Sequence, residues 1–512
     1  MHLRRSAVKK YLERRRDDWR FCKDLKKVDL EDEVRRLPEQ PPIWDVLKLH
    51  QKVYFILGAK LRRFGIWGDT GIGKSIISIA LARYFRKTKV IRQGLILVPF
   101  KVNTAEWERE LKKHSPKTSY KILEGSSAKK WEILESRETL LTITTYAGLV
   151  RMVCVKVKKK KSKRLRLVPD KKKLKYLAEK FQGLFLDESS NIGNHTKLPF
   201  RICRQIAKRC AVFFPLSGTP FGRDPTPLWA QMFLVDWGES LGENLGLFRA
   251  GFFKEKENYW SGFPEYHFDK KKGALLNRFL AHRSLRYKAD EADLPKVSSI
   301  IKYVKLPDDA KTYYQKAKAQ LVASHGNFQE MQNMFIRMRQ ISSGWIGYRD
   351  DESGDKCEFE FDYNPKMEML VSLVDSIRGS KAIVFHDFIY SGKMICRELK
   401  ELEIGHVWLR GKTKNPGELL QRFDDDPDVD VLVLNTAGAF GLNLQAAQYG
   451  IFYESPVPVI LRTQMEKRYI RQYSKHKRVF KYDLITEGTA DEQILKFHKE
   501  GGDLFKTIVE GK

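Results

Sequence analysis

The sequence predicts an α/β protein of two tandem parallel-sheet lobes, with a largely helical insertion between them and a basic N-terminal arm. Three observations carry that prediction. A glycine-rich loop, Gly68-Asp69-Thr70-Gly71-Ile72-Gly73-Lys74-Ser75, lies between a short apolar run and an apolar helical pattern. Apolar strand-like runs alternate with helical patterns from residue 94 to residue 217, the rhythm of a parallel sheet with ligand loops at its strand C-termini. The same rhythm begins again near residue 366 without a second such loop. The expected divisions are an arm over 1–42, a first lobe over 43–240, the insertion and linker over 241–345 and a second lobe over 346–512.

Lys and Arg total 95 against 64 acidic residues, a net charge of +31 that points to a polyanionic partner, nucleic acid first. A hydrophobic content of 42% argues against a disordered chain. The six cysteines contain no C-x-x-C pair, and Cys203 and Cys210 have no flanking His, so reduced thiols are expected rather than a zinc site. The chain has no leader-like apolar core and no apolar run long enough to span a bilayer. An intracellular, cytoplasmic protein is expected.

The arm is charged, with Tyr11, Trp19 and Phe21 as apolar anchors, and ends at Pro41-Pro42. Docking on the body, nucleic-acid contact and a solvated arm all remain open there. A helix over 47–55 carries Gln51, whose amide can pair with adenine through donor and acceptor together, although one Gln on a helix is usually surface. In the loop that follows, backbone N–H groups would wrap nucleotide phosphates. Lys74 would reach the β- and γ-phosphates, and Ser75 would hold Mg²⁺. Glycines let the loop turn tightly with no Cβ in the way, and the helix N-terminus adds partial positive charge.

Gly94 to Pro99 and Leu140 to Tyr146 read as strands, with a helix over 104–111 between them. Residues 156–175 hold lysine runs and too little apolar content for a core, so an exposed insertion is expected, either solvated or touching phosphates. Phe181 to Leu186 is a strand that delivers Asp187 and Glu188 at its C-terminal end. Asp187 would hold the Mg²⁺ water shell and Glu188 would polarise the attacking water. A further strand ends in Leu216-Ser217-Gly218-Thr219-Pro220. From 225 to 340 no strand alternation is visible, and helices are expected over 310–321 and 328–341. In the second lobe, strands are expected over 381–386, 407–409, 429–435 and 449–453. One nucleotide loop serving two lobes suggests ATP between them. After Pro458 a helix places Gln464, Arg468 and Arg471 on one face.

In this order the motifs resemble those of superfamily 2 helicase-like ATPases, and within them the SWI/SNF-type DNA translocases. Ile96-Leu97-Val98-Pro99 with Trp107-Glu108-Arg109-Glu110 is similar to the family's motif Ia, and Thr142 to Tyr146 to motif Ib. Asp187-Glu188 matches motif II, Ser217 to Pro220 motif III, Gly438 to Ala447 motif V, and Gln464 with Arg468 and Arg471 motif VI. Arg339-Gln340-Ile341 and Lys366-Met367 resemble the start of the second lobe. Ser189-Ser190 replace the small residue and His usual after motif II, so a different coupling to motif III is expected. The compact form looks most like versions carried by bacteriophages and bacteria.

The resemblance implies two RecA-like lobes, with ATP and Mg²⁺ as cofactors. It gives Gln51 the adenine contact, Glu188 the catalytic role, and Arg468 and Arg471 the place of arginine fingers. Gly441 and Gln464 join the ATP site. Pro99, Thr144, Thr145, Asn435 and Thr436, with Lys159, Lys160 and Lys161, are candidate DNA contacts. The expected activity is DNA-stimulated ATP hydrolysis driving translocation on duplex or branched DNA without sequence preference. An RNA- or single-strand-dependent unwinding helicase and a nucleotide-gated DNA-binding scaffold are the alternatives. The motif V and VI blocks argue against the first. The joint presence of Lys74, Asp187, Glu188, Arg468 and Arg471 argues against the second.

Overall fold

The structure, a computed structural model, describes residues 30–69, 71–158, 165–222, 224–257, 264–287, 295–324, 327–350, 353–411, 413, 416–436, 442, 444–470 and 474–505. These divide into two compact units. The first is drawn from 1–254, 266–289 and 504–512, the second from 255–265 and 290–503.

Up to residue 287 the strands are β1 (Gly65–Gly68), β2 (Gly94–Val98), β3 (Tyr120–Ile122), β4 (Leu141–Thr145), β5 (Cys154–Lys158), β6 (Leu165–Pro169), β7 (Gly183–Leu186), β8 (Val212–Ser217), β9 (Phe253–Glu257), β10 (Pro264–Phe268) and β11 (Ser284–Tyr287). Seven form one sheet in the order β11-β1-β8-β7-β2-β4-β3, parallel throughout. Its central strands are buried on both faces, which is why they read as unbroken apolar runs. Alternate residues feed two cores. Trp67, Leu95, Leu97, Leu184, Leu186 and Phe213 pack under the helices Tyr146–Val153, Lys171–Lys180, Leu198–Ala207 and Thr226–Asp236. Ile66, Ile96, Val98, Phe185 and Phe214 pack under Leu49–Leu61, Lys74–Lys87 and Lys101–His114 on the opposite face.

In the second unit the strands are β12 (Lys296–Val304), β13 (Trp345–Arg349), β14 (Lys356–Glu360), β15 (Ala382–His386), β16 (His406–Leu409), β17 (Val431–Asn435), β18 (Tyr449–Phe452) and β19 (Arg478–Thr486). Six form a second wholly parallel sheet, β12-β19-β18-β15-β17-β16, while β13 and β14 make an antiparallel pair. This sheet also separates two cores, around Phe385 and Phe452 on one face and Val384, Val433 and Ile451 on the other.

Two expectations change. Residues 241–345 are not a separate helical insertion: the helices Asp308–Ala323 and Phe328–Ser342 are present, but β11 closes the first sheet and β12 the second. Both are edge strands with mixed exposure, so neither carries the continuous apolar run of a central parallel strand. The basic insertion ends earlier than expected. β5 and β6 form an exposed hairpin, whereas Lys171-Lys172-Lys173 opens a helix capped by Asp170, which accepts from the backbone of Lys172 at 2.8 Å and Lys173 at 3.1 Å. That helix buries Leu174 and Leu177 in the core. The described end of the arm is the helix Leu30–Arg35, which docks Leu30 and Val34 against the first unit; residues 1–29 lie outside the described residues.

Candidate functional site

The phosphate loop leaves β1 at Gly68 and enters the helix Lys74–Lys87. Gly71 and Gly73 have φ of 90° and 81°, the left-handed region that a Cβ disfavours. At Gly73 a Cβ would also lie 2.3 Å from Gln51 Nε2. Lys74 Nζ donates to the carbonyl oxygens of Gly68 (2.9 Å) and Asp69 (3.2 Å), holding the loop on itself. Ser75 is half-buried at the start of the helix, and Ile72 is buried beneath the loop.

Gln51 does not offer its amide outward. Its Nε2 donates to Ile72 O at 2.9 Å, and its Oε1 accepts from Lys48 N at 2.9 Å. The side chain is buried and ties the loop to the first turn of the helix Leu49–Leu61. His50 Nε2 also reaches Ile72 O, at 3.0 Å, and its ring stacks on Tyr287 with centroids 4.4 Å apart. Burial first, and then Lys48, hold the His50 imidazolium below its ordinary range against the opposing Ile72 carbonyl.

Asp187 and Glu188 stand at the end of β7, two strands from β1 in the sheet. Asp187 Oδ2 accepts from Trp107 Nε1 at 2.9 Å, and Tyr146 OH donates to Asp187 O at 2.9 Å. Burial and then the neighbouring Glu188 push its carboxyl up to about 6, opposed by the Trp107 hydrogen bond and Lys74. Glu188 takes left-handed backbone angles, φ 47° and ψ 61°, which turn the chain sharply off the strand. Ser217 Oγ donates to Glu188 Oε2 at 3.2 Å and itself accepts from Thr219 N at 3.1 Å. Ser189 Oγ donates to Gln231 Oε1 at 2.7 Å, and Gln231 Nε2 donates to Pro220 O at 2.6 Å. Motifs II and III are therefore joined through two serines and a buried glutamine.

The other candidates fall differently. Pro99 is half-buried after β2. Thr144 is fully buried, and Thr145 spends its hydroxyl capping a helix, accepting from Gly148 N at 2.8 Å. Asn435 and Thr436 are buried at the end of β17, donating to Asp387 O (2.9 Å) and His386 O (3.2 Å). Contact with DNA through these four side chains is not what their packing provides: Thr144 is buried within β4, and Thr145, Asn435 and Thr436 spend their polar groups on nearby backbone. Gln464 and Arg468 are half-buried on the helix Val459–Tyr469. Thr70, Lys159, Lys160, Lys161, Gly441 and Arg471 lie outside the described residues.

Several site residues carried no sequence signal. Arg286, on β11, bonds Asp69 Oδ1 at 2.5 Å and Gly218 O at 3.0 Å, across 217 positions of chain in the first case. Tyr54 OH faces the carbonyl oxygens of Trp67 (2.8 Å) and Leu285 (3.1 Å). In the second unit, Arg462 makes a buried bidentate pair with Asp483 at 2.7 and 3.0 Å and covers the Phe452 ring. Arg339 pairs with Asp387 at 2.9 Å and Lys366 with Asp491 at 2.6 Å, so the residues resembling the start of that lobe are buried ion pairs.

Residues 57–344 match the family model of the SNF2-related domain, and residues 365–473 that of the helicase conserved C-terminal domain. The protein YwqA of Bacillus subtilis (strain 168) is 25% identical over 90% of this chain and 49% of its own length. The ISWI chromatin-remodeling complex ATPase ISW2 of Saccharomyces cerevisiae is 22% identical over 84% of this chain and 38% of its own. Protein p41 of Acyrthosiphon pisum secondary endosymbiont phage 1 is 24% identical over 63% of this chain and 68% of its own. The chain thus spans half or less of the length of most of these relatives. Among solved structures, the Sulfolobus solfataricus SWI2/SNF2 ATPase core in complex with dsDNA shares 21% identity over 91% of this chain and 93% of that one, with a TM-score of 0.39. Among the described residues no helix is long and apolar enough to cross a membrane.

Proposed function

The chain belongs to the SNF2-related domain family, and from that premise we propose that it is an ATP hydrolase stimulated by DNA, which translocates on or remodels double-stranded DNA. The observation that carries the reading is the pair Asp187 and Glu188. The first is clamped by Trp107, the second is turned off β7 and held by Ser217, and both belong to the sheet that bears the phosphate loop.

In this reading the backbone of Gly68 to Gly73 and the start of the helix Lys74–Lys87 bind the phosphates, with Lys74 exchanging its two carbonyl partners for phosphate oxygens. Mg²⁺ supplies neutralisation of the developing phosphoryl charge when bound. A hydroxyl and a carboxylate, Ser75 and Asp187, suit a hard cation that keeps waters and substrate oxygens as its remaining ligands. A carboxyl raised to about 6 is ionised at neutral pH and able to take that role. Glu188 orients the attacking water, and its bond from Ser217 fixes the carboxylate. Gln51 acts as the anchor of the phosphate loop, since its amide is engaged at both ends, with Ile72 O in the loop and Lys48 N at the start of its own helix. The roles of Gly441, Gln464, Arg468 and Arg471 rest on the sequence. The net charge of +31 supports a polyanionic partner read through its backbone, with strong salt dependence and little sequence preference.

Steady-state ATP turnover tests the reading, measured without polymer and with duplex DNA, branched DNA, single-stranded DNA and RNA, with Glu188→Gln as control. Stimulation by duplex or branched DNA that the variant loses is expected. Stimulation by RNA alone overturns the assignment of DNA. Absence of turnover with DNA binding intact leaves a scaffold.

A further inference from the structure

An unbroken polar path runs from the phosphate loop to Glu188, and its central member comes from the far end of the first unit. Arg286 Nη2 bonds Asp69 Oδ1 at 2.5 Å, and Nη1 donates to Gly218 O at 3.0 Å. Gly218 follows Ser217, whose hydroxyl donates to Glu188 Oε2 at 3.2 Å. The Arg286 side chain is only 7% exposed. Its backbone is fixed by the parallel register of β11 on β1, Arg286 opposite Trp67 and Tyr287 opposite Gly68. Asp69 N donates to Tyr287 O at 3.2 Å, and Tyr54 OH bridges the carbonyl oxygens of Trp67 and Leu285, so strand and loop are joined by main chain as well.

We infer that Arg286 is a positioning residue for hydrolysis: it clasps the phosphate loop to the Ser217–Thr219 turn, so that the shape of the loop and the aim of the Glu188 carboxylate are set together. A guanidinium suits this place because its planar fork addresses two acceptors on different loops at once, and it stays charged when buried. A Lys at the same position could hold either Asp69 or Gly218, not both in the same geometry. When phosphate draws Lys74 from the carbonyls of Gly68 and Asp69, the clasp carries any shift of Asp69 to Gly218 and from there to Ser217.

The inference rests on the reading of the chain as an ATP hydrolase, and two kinds of readout separate their failures. The full chain is prepared as wild type, Arg286→Ala, Arg286→Lys, Ser217→Ala and the Arg286→Ala/Ser217→Ala double variant. DNA-stimulated kcat and KM are measured beside the Kd of a fluorescent ATP analogue. Arg286→Ala is expected to lower kcat about 10–100-fold, since misplacement on the order of 1 Å suffices for such a loss, with a much smaller rise in the analogue Kd, because Lys74 and the loop backbone still meet the phosphates. Arg286→Lys should recover part of the loss, and the double variant should fall no further than the worse single one, as for residues acting as a unit. Hydrogen exchange supplies a readout independent of turnover: the analogue should slow exchange at 217–219 in the wild type and not in Arg286→Ala. A lower melting temperature with unchanged kcat per folded molecule, full additivity, or equal analogue protection in both proteins would overturn the inference. A wild type that binds the analogue with this protection but never hydrolyses ATP would refute the hydrolase reading and leave the clasp standing.

Discussion

Replacing Gln51 by Leu removes both ends of a buried amide while nearly keeping its volume. Two hydrogen bonds are lost, Nε2 to Ile72 O and Lys48 N to Oε1, each 2.9 Å long. Ile72 O retains the His50 ring nitrogen at 3.0 Å, and Lys48 N sits at the exposed helix start, so neither group is left fully orphaned. At about 1 kcal/mol per neutral hydrogen bond the loss is about 2 kcal/mol. For a unit of this size that corresponds to a fall of roughly 4–8 °C in melting temperature. The functional consequence follows from which groups are released. A loop no longer tied to the helix Leu49–Leu61 binds every nucleoside triphosphate less well, because the phosphates and not the base feel the change. Thermal unfolding and steady-state turnover with ATP and GTP check this: KM should rise for both, with their ratio preserved. An unchanged melting temperature together with loss of the preference for ATP over GTP would refute the anchor role and restore the base-reading role that the resemblance implies.

Gly73→Ala should abolish nucleotide binding and destabilise the first unit by about 1–3 kcal/mol, from the left-handed φ of 81° and a Cβ 2.3 Å from the Gln51 amide; calorimetric titration with ATP and a thermal melt measure the two effects. Arg462→Ala should destabilise the second unit by about 3–5 kcal/mol, since it leaves Asp483 buried without its bidentate partner, and Arg462→Lys should recover little; denaturant unfolding reads both. Asp187 makes nucleotide-free stability pH-dependent. Its carboxyl is held near 6 by burial and Glu188, while the unfolded chain releases the proton near 3.8, so the folded state carries the extra proton between those values. Stability should fall as pH rises through that window, by about 1.4 kcal/mol per unit of separation, and level off above it. Denaturation midpoints of the wild type and Asp187→Asn from pH 4 to 7 test this: the wild-type stability minus that of the variant, not either profile alone, should fall as pH rises through that window, because Asp236, His50 and His386 also titrate there.

The nucleotide loop, the carboxylate pair and the buried strands were legible because each is a local pattern. Gly71 and Gly73 announce a backbone that only glycine adopts easily, and β2, β7, β8, β15 and β17 are buried along their whole length, and apolar in all but at most their last residue, because helices cover both faces of their sheets. The edge strands β11 and β12 were not legible, since a strand open on one side needs no such run. Lys171 to Lys173 read as solvated charge although their helix is anchored by Leu174 and Leu177, because a helix needs only one apolar stripe and the lysines occupy the other face.

The chemistry of the first unit is written in local residue types: Gly68 to Ser75 and Asp187-Glu188 are contiguous stretches, and phosphate and metal chemistry demand those residues. How the polar groups are spent depends instead on which strands and loops the fold brings together. Gln51 is turned onto Ile72, Asn435 and Thr436 onto the end of β15 and the residue after it, and Arg286 onto Asp69 and Gly218. A hydrogen-bonding side chain satisfies whichever partner the fold brings within about 3 Å, and partners 21 to 217 positions away cannot be read from local spacing.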